Sequence, residues 1–299
     1  MSAGRIDRAQ PARRALLCTV LAGAAWAAVP TARAAAVRGP HRLIVTNSYV
    51  AEIVVALGAA SQIVAVGGGS DHLAELAGVP RLPGFRQTSA EPMLSVAPTR
   101  VLVTSEWTVP QTLEQLRAAG VAVDVLDAQA SVAGVERRIR HVATLLGREA
   151  EGERLAARFR TEMAEAASVV AQVRRRPRAL FILAGGQRPT LVGGRGTNVA
   201  ALLALAGADN VADGFDGFKV MSQEAMIEAA PEVILTNQDG TVPTDGVPVA
   251  LLAPGARATP AGRAGRLITV PGHYLQGMGI LTPQGIRALG RQLHPQLFR

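Results

Sequence analysis

The chain has 299 residues, 48% of them hydrophobic and 18% charged, with a formal net charge of +8. That much apolar material excludes a disordered chain, and the length suffices for two domains of ordinary size.

At the N-terminus Arg13-Arg14 precede an apolar run, LLCTVLAGAAWAAV, and Ala32-Arg33-Ala34 supplies a small-x-small cleavage pattern. Residues 1–34 therefore read as a cleavable export signal, by the general secretory or the twin-arginine route. No later apolar run is long enough to span a bilayer. The one cysteine, Cys18, lies inside the signal, and the bulky Leu17 before it does not suit lipid attachment. A mature chain with no cysteine, disulfide or lipid anchor points to the periplasm. The signal carries five arginines against one aspartate, so its removal lowers the charge from +8 to +4. That residue is too weak and scattered to argue for nucleic acid.

After the signal, short β-branched runs alternate with helical segments. LIVTN (43–47), IVAVGG (63–68), VLVTSE (101–106) and VAVDVLD (121–127) predict strands of a mostly parallel sheet. From Arg148 to Arg175 the residues Leu155, Phe159, Met163, Ala166, Val170 and Val173 recur at helical spacing. About 27 residues of helix would span ~40 Å, ending before Pro177. Arg174-Arg175-Arg176 would then offset the dipole at a solvated helix end. From Arg178 the pattern restarts with ALFILAGG (179–186), TLVGG (190–194), EVILTN (232–237) and RLITV (266–270). The expected organisation is an N-terminal lobe over 41–146, a long interlobe helix over 147–176 and a C-terminal lobe over 178–299. The fold class is α/β, with two similar lobes, mostly parallel sheets and a ligand cleft between them.

Two internal echoes support similar lobes. SAEPMLSVAPTRVLV (89–103) and SQEAMIEAAPEVILT (222–236) match at a constant offset of 133, including Glu91 with Glu224 and Met93 with Met226. VAEIVVALGAASQIV (50–64) likewise echoes VAALLALAGADNV (199–211). Each glutamate follows a serine by two at a helix start, where it can serve as a cap.

Enzyme motifs are missing. VGGGSD and VGGRGTN are Gly-rich loops after strands, but neither completes G-x-G-x-x-G, and the single lysine, Lys219, is too late for a Walker loop. No G-x-S-x-G elbow or HExxH occurs. The chain reads as a binding protein with no catalytic cofactor.

The ordered set IVTNSYVAEIVVALGA, FRQTSAEPMLSVAPTRVLV, LRAAGVAVDVL and GGRGT followed by ADGFDGFKVMSQEAM covers about 41–294. On these segments the chain resembles the single-long-helix substrate-binding proteins of ABC importers, and its hemin-binding branch in particular. The resemblance implies a monomeric carrier that delivers heme to a permease dimer in the inner membrane. Cobalamin or a ferric siderophore is the alternative cargo, and a non-transport sensor the alternative role. It also implies that Glu91 and Glu224 dock onto the permease. In the loop Pro83-Gly84-Phe85-Arg86, Arg86 stands where the branch pairs a propionate and Phe85 can stack on a porphyrin. Gly84, however, stands where the branch has an iron-ligating tyrosine, and LAGGQR (183–188) lacks the histidine that some relatives carry. Tyr49 and, second, Tyr274 are the substitute iron ligands. His72 and Arg195 complete the expected ligand-binding set, and His273 stands beside Tyr274.

Overall fold

The structure, a computed structural model, describes residues 40–82, 89–107, 109–184 and 191–298. The expected export signal, the loop carrying Gly84, Phe85 and Arg86, and residues 185–188 lie outside the described residues.

Strands β1 (Leu43–Val45), β2 (Ile63–Val66), β3 (Arg100–Thr104) and β4 (Ala122–Leu126) form a parallel sheet in the order β2-β1-β3-β4. Helices α1 (Ser48–Ala56), α2 (Ala90–Leu94) and α3 (Pro110–Ala118) connect them. The strand order reverses between β1 and β3, and such a reversal opens a crevice beyond the carboxyl ends of the strands. Next comes a helical pair, α4 (Val132–Leu146) and α5 (Glu149–Val170), packed on each other. A Cβ on Gly152 of α5 would lie 2.4 Å from that of Ala143 of α4, so glycine sets their close approach.

The second half holds β5 (Arg178–Leu183), β6 (Leu191–Gly193), α6 (Asn198–Leu205), β7 (Asp209–Asn210) and β8 (Phe218–Lys219). It continues through α7 (Gln223–Ala229), β9 (Val233–Thr236), α8 (Gln238–Thr241), β10 (Pro243–Thr244) and β11 (Val247–Pro248). The last elements are α9 (Pro260–Arg263), β12 (Leu267–Thr269), α10 (His273–Gln276) and α11 (Thr282–Leu293). Strands β12, β9 and β5 are parallel, and on the far side of β5 strand β6 pairs antiparallel to it and β8 antiparallel to β6.

Strand alternation sorts the core into three clusters. Ile44, Val101 and Val103 face an outer cluster with Met93, Leu113 and Leu116. Leu180, Ile182 and Ile234 face a second outer cluster with Met226. The opposite faces, Leu43, Val45 and Leu102 from the first sheet and Ala179, Phe181 and Leu235 from the second, belong to one shared cluster. Phe159 and Met163 of α5 and Ile286, Leu289 and Leu293 of α11 complete it. Both sheets thus rest on the same apolar interior.

The internal echo extends to backbone angles. Ser89 and Ser222 have φ −70 and −71, and Ala97 and Ala230, at the same offset, have φ 46 and 41. Left-handed backbone is unusual for alanine and costs about 1 kcal/mol where glycine would cost little. Ala230→Gly should therefore raise stability by up to about 1 kcal/mol, read as a later urea midpoint with unchanged slope. A drop would mean that the methyl group packs well enough to offset its strain.

The long helix ends earlier than the sequence pattern suggests. It closes at Val170, where Gln172 and Val173 donate to the carbonyls of Val169 and Val170 in a tightened last turn. The arginines that follow are exposed, as expected, but lie past the helix end rather than in its last turn. Arg175 pairs with Glu232, and Arg176 reaches Asp209 at 2.8 Å and the carbonyls of Ala204 and Ala208. They tie the chain to the second sheet before β5 begins.

Candidate functional site

The carboxyl ends of β2, β9 and β12 converge on a cavity of about 400 Å³. Gly69, Asp71 and His72 line it from the first half, and Gln238, Thr269–His273 and Gln276 from the second. This is where the parallel strands of the two sheets place ligand contacts, and the volume suits a small-molecule site. A larger hollow of about 780 Å³ lies by residues 171–175 and 294–297, away from these strand ends.

Two histidines meet at the cavity. The rings of His72, after β2, and His273, after β12, stack with centroids 4.1 Å apart and planes 17° apart. Tyr274 sets its ring against His273 at 4.2 Å and 61°. Behind them, His72 Nε2 lies 3.1 Å from Oε1 of Glu52, which is 3% exposed. Burial raises the Glu52 pKa, opposed by its hydrogen bond and charge contact with His72. His72 Nδ1 is buried and has no hydrogen-bond partner. Burial, with the charge of His72, pushes the His273 pKa down to about 4, so its ring is neutral at physiological pH.

The structure overturns the expectation that Tyr49 faces the ligand. Its side chain is 2% exposed, under Gly277 and Gly279, and a Cβ at Gly277 would come within 2.3 Å of the ring. The hydroxyl donates to Glu106 Oε1 at 2.6 Å and lies 3.1 Å from Thr104 Oγ1. Burial, then the charge of Glu106, raises its pKa and disfavours the phenolate that iron would need. Tyr49 belongs to the junction, because α1 carries its first turn directly beneath the segment before α11.

Arg138 of α4 fastens that junction. It is 1% exposed and stands over the Tyr49 ring, 4.7 Å from the centroid. Its Nε donates to the carbonyl of Asp127 at 2.8 Å, and its Nη1 to that of Met278 at 2.7 Å. Burial lowers its pKa, yet an arginine stays charged.

The other expected site residues divide. Tyr274 is part-buried against Gly285, and burial raises its pKa, so it supports His273 more readily than it ligates. Arg195 does not line the cavity. Its guanidinium pairs with Asp216 at 3.0 Å and donates to the Asp213 carbonyl, which makes it a turn brace. Glu91 and Glu224 are both exposed in the first turns of α2 and α7. At α7 the cap is realised, with Ser222 Oγ accepting from the Ala225 amide, while Ser89 makes no such bond. Hydrogen bonds from its own amide and from Ser222 lower the Glu224 pKa.

Sequence reasoning missed Glu52 and Arg138. Glu52 had a readable signal, a lone acid in the apolar run VAEIVVALG. Arg138 did not, since VERRIRHV offers three arginines with nothing to single one out.

The periplasmic binding protein family model matches residues 43–274. Among solved structures, the periplasmic heme-binding protein RhuT from Roseiflexus sp. RS-1 in apo form is 35% identical, with TM-score 0.81 over 86% of this chain and 99% of that one. The periplasmic heme-binding protein BhuT in complex with two hemes is 33% identical, with TM-score 0.80 over 87% and 100%. A periplasmic heme-binding protein from Pseudomonas aeruginosa is 31% identical, with TM-score 0.78 over 87% and 94%. No curated protein matches the chain.

Proposed function

The chain belongs to the periplasmic binding protein family, and within it we propose that this protein carries heme to an ABC importer. The observation that carries the reading is the cavity where both sheets end, lined from each half by an imidazole. The similar heme-binding structures, matched over nearly all their length, favour heme over cobalamin or a siderophore. They also favour a binding protein over an enzyme or a sensor.

In this reading residues 1–34 direct export and are removed, and the mature protein works as a monomer. The N-terminal lobe, residues 41–146, and the C-terminal lobe, residues 178–299, meet across the helix between them and clasp the cargo. Arg86 takes a propionate and Phe85 lies against the porphyrin face. Arginine suits that partner, because its fork matches a carboxylate. Among the described residues lining the cavity none is an arginine or lysine. Glu91 and Glu224 meet paired basic pockets on a two-fold permease dimer.

Titration of the mature protein with hemin, cobalamin and a ferric siderophore tests the cargo, read by absorbance and tryptophan emission. Saturable binding of hemin alone is the expected result, with the breakpoint giving the hemes per chain. Preference for another chelate would replace heme, and no saturable signal with any of them would refute the carrier reading.

A further inference from the structure

Among the described residues few could reach an iron atom in the cavity, and the lining carboxylate of Asp71 is paired with Arg81. The Tyr49 hydroxyl is held by Glu106 and Thr104 under two glycines. Arg195 and Tyr274 do not line the cavity. His72 lines it, but its Nε2 rests on Glu52 and its Nδ1 is covered. His273 differs from all of these. Its contacts are with ring systems, His72 against one face and Tyr274 at an angle. Imidazole nitrogens lie in the ring plane, so stacking restrains the ring without covering a lone pair.

We propose that His273 is the axial ligand of the heme iron, and that Glu52 and His72 position it. This rests on the heme reading and adds the residue that holds the metal. A porphyrin supplies four nitrogens and leaves an axial place on the iron. The neutral imidazole donates a lone pair there and displaces water, with no electron transferred and no proton released. A single imidazole suits a metal that arrives already chelated. Among the described residues no three His, Cys, Asp or Glu side chains group to hold a bare ion.

The positioning residues explain a buried carboxyl that packing alone does not require. Glu52 sits in an apolar helix at a desolvation cost, and its contact with His72 Nε2 fixes the orientation of that ring. His72 then forms a shelf on which His273 lies. Supporting contacts of this kind commonly tune a metal ligand. Because the shelf comes from one half and the ligand from the other, coordination reports on their register.

The experiment uses the mature protein with hemin and with iron-free protoporphyrin. Ferric heme in the wild type should give an imidazole-type absorption and electron paramagnetic resonance spectrum, without a phenolate charge-transfer band. His273→Ala should lose that spectrum and weaken hemin binding by about 100-fold or more, beyond the 10–100-fold typical of a supporting contact. It should bind protoporphyrin as the wild type does, which establishes that the cleft is intact. Free imidazole should restore the spectrum. Glu52→Gln should keep the imidazole-type spectrum while weakening hemin about tenfold. A wild-type spectrum retained in His273→Ala, or a phenolate band in the wild type, would overturn the assignment and leave the heme reading standing. If the wild type binds neither hemin nor protoporphyrin, the heme reading itself fails.

Discussion

Arg138→Ala is expected to cost about 3–5 kcal/mol, among the largest single losses available outside the apolar core. The guanidinium is buried, and its charge is compensated by carbonyl dipoles and the face of Tyr49 rather than by a directly bonded carboxylate. Removal leaves the carbonyls of Asp127 and Met278 without this donor and opens a void over the ring. Each lost bond to a charged group is worth about 1.5–3 kcal/mol. Arg138→Met separates the two causes, since it fills much of the space and donates nothing. Urea unfolding should place the methionine variant between alanine and wild type. Because one of the bonds crosses from α4 to the segment before α11, small-angle scattering should detect a larger radius of gyration in both variants. In the wild type the same measurement should change little on adding heme, since one shared interior joins the two sheets. A methionine variant as stable as wild type would mean that desolvating the cation costs as much as its bonds return.

Glu91→Gln combined with Glu224→Gln is expected to cut uptake sharply while leaving hemin affinity unchanged. Glutamine keeps side-chain size and most capping ability, so the exchange removes charge rather than the helix start. Exposed acids at a rim chiefly govern encounter and register with a partner. Uptake in reconstituted vesicles should fall at least about tenfold in the double variant, equivalent to ~1.4 kcal/mol. Each single variant should fall by less, since one lobe would still engage. Normal transport by the double variant would reduce both acids to caps, the role that Ser222 and Glu224 partly display already.

The longer strands were legible because β-branched runs bounded by glycine and proline leave few other readings, whereas the two-residue strands β7, β8, β10 and β11 carry no such run. The repeat was legible because the same helix-to-strand turn recurs with its acid and methionine in place. The end of α5 was not, since Val173 continues the apolar stripe and only tertiary contacts of Arg175 and Arg176 reveal that the chain has turned. Tyr49 misled for a physical reason. A residue just after a strand end normally faces the crevice, but here α1 begins at once and rotates the ring inward, beneath Gly277 and Gly279. Distances of 200 residues and more along the chain separate those partners, and no local pattern encodes them.

The shared apolar interior also governs the order of assembly. The first sheet can cover its outer face with α2 and α3 as soon as they exist. Its inner face can be covered by α1 and α4, but the shared interior closes only when Ile286, Leu289 and Leu293 of α11 pack against α5 and α6. During synthesis α5 and α6 therefore present uncovered apolar surface until α11 is available. Surface exposed in this way invites aggregation, so the interval before the last helix docks is when a chaperone would help the chain most.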